Sequence, residues 1–431
     1  MLHKNLSVSD DNHLYIAGHD TVKLAEKYGT PLYVLDTDMV YENCVMYKTV
    51  IEKHFGKGSM PLIASKALSC KEIYRIAAAA GIGTDMVSGG EIYTAYSAGF
   101  PMEKAYFHGN NKTDADIAFA LDHGVGCFVI DNNEEAIALN KEAARRSVNV
   151  RVMLRVSPGI DPHTHKAVVT GSVDSKFGVA IETGQALETV RLILACDNLI
   201  LEGLHCHIGS QIFEYTPYAD AADIMIRFIS DIKKETGYAV SALNLGGGFG
   251  VRYTDEDPEY DYEKAMSDIA DSLNAAYQKY GVPALRIYFE PGRSIVAAAG
   301  LTLYTVGSFK TITGYKSYVS IDGGMPDNPR YALYQSKYTC LVANKAGDEK
   351  TVTATIAGRC CESGDLIQED ARLQPCGRGD ILAVLVTGAY NYSMASNYNR
   401  LPRPAMVGVG KNGERLIIKR ESYEDLVRND I

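Results

Sequence analysis

Short apolar segments of this 431-residue chain repeatedly end in residues able to do chemistry. Lys66 lies in Pro61–Leu68, Asp85 in Gly83–Ser88, His108 in Ala105–Gly109, His205 and His207 in Leu201–Gly209, and Glu290 in Arg286–Arg293. A further segment, Ala242–Gly248, runs into Gly246-Gly247-Gly248-Phe249-Gly250. A lysine desolvated at a strand end has a lowered pKa and can form a Schiff base. A carboxylate against a pyridine nitrogen keeps that nitrogen protonated and maintains an electron sink. Consecutive glycines let backbone N–H groups approach a phosphate without Cβ obstruction. Together on one face, a lysine, a histidine, a glycine loop and a carboxylate suit pyridoxal phosphate.

Placing them on one face requires a particular set of elements. Segments Gly126–Asp131 and Asn149–Pro158 bring the strand candidates to eight. In a (β/α)8 barrel the carboxyl ends of all eight strands converge where active sites lie. The intervening segments read as helices. Lys71–Ala80 is alanine-rich and stops at Gly81, a good residue to follow a helix. Asp131 precedes Glu134–Arg146, which carries acids in its first turn and Arg145 and Arg146 in its last. Thr37–Phe55 spaces Val40, Cys44, Tyr47, Val50 and Ile51 near a helical period. This alternation predicts an α/β fold with parallel strands over residues 37–300.

A barrel needs roughly 250 residues, so the chain must hold more. Leu301–Thr313, Lys316–Ile321, Lys350–Ala357, Asp380–Thr387 and Glu414–Arg420 read as short strands separated by Gly, Asp and Asn. They predict a C-terminal β-sandwich or β-barrel over residues 301–431, joined by residues 1–36 through a strand at Tyr33–Leu35. The formal charge of −10 disfavours a general nucleic-acid binder, which carries a basic stripe. No apolar run approaches the ~20 residues that span a bilayer, and Met1–Asp20 lacks the apolar core of a signal peptide. Nine cysteines form no C-x-x-C pair, and their odd number points to reduced thiols and a cytoplasmic location.

Each candidate has a plainer reading. Lys66 alone would be a surface lysine, but it follows Pro61-Leu62-Ile63, and lysine is rarely buried without a role. His205 and His207, two apart on a strand, would point to the same side. That pair raises a metal alternative, with His108, His163 and His165 as further ligands. Zinc barrel hydrolases place such a pair on the first strand, however, and here that strand offers Lys66, so no metal is expected. His205 suits a hydrogen-bonded core position, whereas His207, nearer the mouth, could stack on an aromatic cofactor, with Ser210 donating to a phosphate. The glycine run is not a dinucleotide fingerprint, because Val251 stands where the last glycine would be. For Glu290 the plain alternative is an ion pair with Arg293. Cys361-Glu362-Ser363-Gly364-Asp365 and Gly388-Ala389-Tyr390-Asn391-Tyr392 read, on composition alone, as tight turns.

The ordered set of motifs resembles the diaminopimelate decarboxylase family, within the fold-type-III pyridoxal-phosphate decarboxylases. The matching motifs are Tyr28-Gly29-Thr30-Pro31-Leu32-Tyr33-Val34, Ala64-Ser65-Lys66-Ala67, Val87-Ser88-Gly89-Gly90-Glu91, Ser175-Lys176-Phe177-Gly178 and His205-Cys206-His207-Ile208-Gly209-Ser210. They continue through the glycine run, Glu290-Pro291-Gly292-Arg293, Asp322-Gly323-Gly324-Met325, Arg330 with Tyr334, Cys361-Glu362-Ser363-Gly364-Asp365 and Gly388-Ala389-Tyr390 to Tyr398-Asn399. The resemblance implies decarboxylation of meso-2,6-diaminopimelate to L-lysine. Lys66 would bind the cofactor covalently and His207 would stack on its ring. Asp85, Ser210, Gly247, Gly248, Gly292, Arg293 and Tyr390 would surround it, with Glu290 at the pyridine nitrogen. Arg293, Arg330, Tyr334, Tyr390 and Glu362 would bind substrate. The active site would be completed across a homodimer, with Cys361 of the second subunit as proton donor and Glu362 reading the distal ammonium. Two arginines plus a glutamate suit a distal centre carrying both charges. Carboxynorspermidine, ornithine, lysine or arginine decarboxylases, an alanine-racemase-like enzyme and a non-catalytic regulator of this fold are the alternatives. Gly358-Arg359-Cys360 before Cys361 and Ala-Ser-Lys-Ala around Lys66 depart from the commoner family motifs. Ser65 is expected to point away from Lys66 with little consequence. Gly159–Ser175, with Lys166, reads as a lid.

Overall fold

The computed structural model describes residues 2–160 and 175–431. The expected lid at Gly159–Ser175, and with it Lys166, His163 and His165, falls almost wholly outside them. The chain divides into two compact units, one comprising residues 43–250 and 260–292, the other 1–42, 251–259 and 293–431.

The first unit is a closed parallel barrel of eight strands: β1 Met60–Ala64, β2 Gly83–Met86, β3 Ala105–Phe107, β4 Cys127–Ile130, β5 Val150–Ser157, β6 Leu199–His205, β7 Ala242–Asn244 and β8 Arg286–Phe289. Closure is direct, because β8 pairs in parallel with β1 through Tyr288 opposite Met60 and Phe289 opposite Pro61. Leu62, Tyr106, Val129, Met153, Ala242 and Tyr288 pack together in the core. The strands are near-continuous apolar runs because helices cover them. Lys71–Ala80 forms as the sequence indicates and ends on left-handed Gly81 (φ 73°), whose N–H bonds the carbonyls of Ala77 and Ala78. Thr37–Phe55 is also one helix, with Val40, Cys44, Tyr47, Val50 and Ile51 buried. The cap of the helix Asn133–Arg146 differs from expectation. Asn132, not Asp131, accepts the Glu135 N–H, and Asp131 instead accepts the Gly178 N–H at 2.9 Å.

The second unit is a mixed sheet built on β9 (Gly300–Ile312). The N-terminal strand Leu32–Asp36 pairs antiparallel with β9, Leu32 opposite Leu303, so the expected contribution of Tyr33–Leu35 is present. Lys316–Ile321 (β10), Val352–Ala357 (β12), Ile381–Leu385 (β14) and Gly413–Ile418 (β16) match expected strands within three residues at each end. Three others were not foreseen: Cys340–Val342 (β11), Leu366–Leu373 (β13) and Ala405–Gly410 (β15). β13 breaks its apolar residues with Gln368, Glu369, Asp370 and Arg372. β15 holds glycines that read as punctuation, yet all six of its residues are buried. Three short strands and the helix Thr21–Tyr28 occupy the segment before Leu32. Among the described residues no helix is long and apolar enough to cross a membrane.

Candidate active site

At the carboxyl ends of the barrel strands lies a cavity of about 380 Å³, lined by Lys66, Asp85, His108, Arg155, His207 and Glu290 among others. The loops after the strands supply most of these groups, as the topology requires.

Lys66 is not on β1 itself. The strand ends at Ala64, and Ser65-Lys66-Ala67 forms a 3-10 turn. Ser65 is therefore not an idle strand neighbour. Its N–H donates to Asp85 Oδ1 at 2.9 Å, its hydroxyl donates to the Asp85 carbonyl, and the Tyr74 hydroxyl donates to Ser65 Oγ at 3.0 Å. The turn that carries Lys66 is thus pinned to β2 and to the first covering helix. Burial, with the negative Glu290 nearby, pushes the Asp85 carboxyl up to about 6, against the opposing pull of His108 and Lys66.

His205 and His207 also separate. β6 ends at His205, whose Nε2 meets Glu290 Oε2 at 3.2 Å. His207 sits in the following loop, where its Nδ1 accepts the Gly247 N–H at 3.2 Å. The two rings serve different partners and do not form a shared ligand pair. Burial lowers both histidines: His205 falls to about 4, and His207, buried beside the positive Lys66 and Arg155, is held well below its usual range. Both are neutral near pH 7.

Glu290 is held by residues of other barrel strands. Asn244 donates to its Oε1 at 2.7 Å, His205 holds Oε2, and His108 Nε2 lies 2.9 Å from Oε1 without the alignment of a full hydrogen bond. Burial works against the charge, but His108 and His205 hold the carboxylate well below its usual range. A buried, ionised carboxylate facing a cavity is equipped to accept an N–H from a bound ring.

The glycine run closes the site by backbone approach. A Cβ on Gly248 (φ 107°) would lie 2.4 Å from the Gly209 carbonyl, and one on Gly247 would lie 2.1 Å from the Glu290 carbonyl. Only glycine lets the loops after β6, β7 and β8 come this close. Ile212 N–H donates to the Gly248 carbonyl and Gly250 N–H to the Ile212 carbonyl, tying the first two together. Ser210 lies in the loop after β6, and buried Gly292 packs on Ala64.

The β unit holds a second cluster of candidate residues. Buried Tyr253 accepts from Arg293 Nη1 at 2.9 Å, and the Arg330 guanidinium lies over its ring at 4.7 Å. Arg293 also lies 4.7 Å over the ring of Tyr390, whose backbone is left-handed (φ 61°). Arg330 donates to the Tyr338 hydroxyl at 2.9 Å and to Ser336 Oγ at 3.1 Å. Burial opposes ionisation of Tyr253, but the two guanidinium groups lower its hydroxyl below the usual tyrosine range. Tyr334 ends the short helix Arg330–Tyr334 and is half-buried. Cys361 and Glu362 are exposed, with the Cys361 N–H held by Asn399 Oδ1 at 2.8 Å. Cys360 beside it is different: burial and the Asp365 carboxylate push its thiol up to about 12.

The sequence offered His108 only as a strand-end candidate and a possible further metal ligand, and it gave no role to Arg155 or Asn244. Arg155 is buried within β5 and stacks at 4.3 Å on Phe177. A lone arginine in Val-Met-Leu-Arg-Val was the same signal that singled out Lys66.

Comparison with known proteins fits this geometry. Residues 43–297 match the family described as pyridoxal-dependent decarboxylase, pyridoxal binding domain. The chain is 43% identical over 430 residues to diaminopimelate decarboxylase of Bacillus subtilis (strain 168), covering 100% of this chain and 98% of the relative. It is 44% identical over 432 residues to that of Halalkalibacterium halodurans, covering 100% and 98%. Among solved structures, diaminopimelate decarboxylase from M. jannaschii in complex with L-lysine superposes with a TM-score of 0.90 at 34% identity, covering 100% of this chain and 99% of that one.

Proposed function

We propose that this chain, which belongs to the diaminopimelate decarboxylases of the pyridoxal-dependent decarboxylase family, converts meso-2,6-diaminopimelate to L-lysine and carbon dioxide, the last step of lysine biosynthesis. The carrying observation is that Lys66, His207 and Glu290 share one cavity at the carboxyl end of the barrel.

The residues suit pyridoxal 5'-phosphate. The cavity offers an amine, an ionised carboxylate and a histidine that burial keeps neutral, so His207 adds no positive charge of its own against a protonated ring. When bound, this cofactor supplies an electron sink for the pair left behind as carbon dioxide departs. Lys66 provides the amine that holds it, and the Ser65–Asp85 bonds fix that amine's turn. Glu290 accepts the ring N–H. His207, Asp85, Ser210, Gly247, Gly248 and Gly292 would hold it from the barrel loops, and Tyr390 would serve beside Arg293. Arg293, Arg330 and Tyr334 take a substrate carboxylate. The exposed Cys361 delivers the proton to Cα, and Glu362 binds the distal ammonium, both from the second subunit of a homodimer in the cytoplasm.

The test is carbon dioxide release by the purified protein with added pyridoxal phosphate, from meso-diaminopimelate, ornithine, lysine, arginine and carboxynorspermidine. Release from diaminopimelate with lysine formed is expected. Release only from another amino acid would overturn the specificity, and none from any would overturn the function.

A further inference from the structure

His108 has no role in the reading above, yet it sits where that reading needs support. It follows β3 directly, is 4% exposed, and its ring meets His205 edge-on at 4.8 Å between centroids. Its Nε2 is 2.9 Å from Glu290 Oε1, while His205 approaches the other carboxylate oxygen at 3.2 Å. The loop that carries it is anchored. His108 N–H donates to the Met86 carbonyl at 2.7 Å, and Lys112 Nζ reaches the carbonyls of Gly109 at 3.0 Å and Val129 at 2.7 Å and the Glu135 carboxylate at 2.8 Å. A histidine on a mobile loop would hold nothing; this one is built in.

We propose that His108 is a positioning residue, which with His205 and Asn244 fixes the Glu290 carboxylate in its ionised form toward the ring nitrogen of the bound cofactor. The inference rests on the proposed function and deepens it. Asn244 alone orients one oxygen and adds no titratable group. The charged and titratable groups around Glu290 are His108 after β3, Asp85 on β2, Arg155 on β5, His205 on β6, the buried Cys206 thiol after it, and His207 and Lys66 in their loops. Asp85 disfavours the Glu290 charge; His108 and His205 approach its oxygens directly. Taking His108 away therefore raises the Glu290 pKa and lets acid protonate it sooner.

The test uses the cofactor-loaded enzyme with His108→Ala and His108→Gln, since glutamine restores an N–H donor of similar reach. Two readouts are taken: the pH profile of kcat/KM, and the pH titration of the bound cofactor's absorbance. In His108→Ala both acid limbs should move toward neutral by on the order of one pH unit, and His108→Gln should move them back. Equal losses at every pH in both variants, or limbs that stay at the wild-type position, would overturn the proposal. If the wild type releases no carbon dioxide, the function fails, but the absorbance titration with added pyridoxal phosphate still decides the role of His108.

Discussion

Asp85 Oδ1 accepts the N–H of Ser65 at 2.9 Å, one residue before Lys66. The bond makes Asp85 a support of the lysine turn, and burial makes its charge costly. With a carboxyl raised from 3.8 to about 6, the folded state binds more protons than the unfolded state between these values, so stability falls as pH rises through them. Asp85→Asn keeps an Oδ1 acceptor and removes the charge. The cofactor-free variant should match the wild type near pH 4 and exceed it at pH 7, by up to about 3 kcal/mol. Urea denaturation at both values checks this; a variant weaker than wild type at pH 7 would remove the argument.

The two neighbouring thiols should behave oppositely. Cys361 is exposed, whereas the Cys360 thiol, pushed up to about 12, stays protonated near pH 8 and is a poor nucleophile. Limited alkylation followed by peptide mass analysis should mark Cys361 and spare Cys360. Cys361→Ala should lower kcat by about 10²–10⁴-fold, the usual worth of a positioned acid. Cys360→Ala should cost far less. Comparable labelling of both thiols, or equal kinetic losses, would refute the division.

Arg293 and Arg330 converge on Tyr253. If they bind a substrate carboxylate, Tyr253→Phe loosens Arg293 by removing the acceptor at 2.9 Å but leaves Arg330 tied to Tyr338 and Ser336. The loss of one charged hydrogen bond, about 1.5–3 kcal/mol, should appear mainly as a KM for diaminopimelate raised roughly ten- to a hundredfold. A lowered kcat at unchanged KM would mean that these arginines do not serve ground-state binding.

Much of this arrangement could be read from local pattern, and the failures have a common cause. The helices Lys71–Ala80 and Thr37–Phe55 were legible because periodicity and a following glycine are local signals. The 3-10 turn at Lys66 was not, because it is set by Asp85 and Tyr74, distant in sequence. Asp131 looked like a helix cap beside Asn132, and only the Gly178 N–H, brought in by the fold, claims it elsewhere. The partners His108, His205 and Asn244 of Glu290 were hidden for the same reason, because they sit on or just after three other strands, far away in sequence. β13 was missed because a register shift at left-handed Asp370 (φ 50°) interrupts the alternation that buries Ile367, Ala371 and Leu373.

The Lys112–Glu135 pair offers the sharpest test of how the loop after β3 is held. Both side chains are almost fully inaccessible, at 1% and 3%, with Nζ and Oε1 2.8 Å apart. Burial pulls Lys112 down and Glu135 up, each toward its neutral form, and their mutual attraction opposes this. Lys112→Met leaves a buried carboxylate without its cation and should cost about 3–5 kcal/mol. In Lys112→Met with Glu135→Leu no charge is left stranded, so the double variant should be more stable than Lys112→Met alone, even though the lysine's bonds to Gly109 and Val129 are lost as well. Urea unfolding of the single and double variants checks the order. A double variant that loses as much as the two singles added would show that the pair's charges do not interact, and that Lys112 acts through its carbonyl bonds alone.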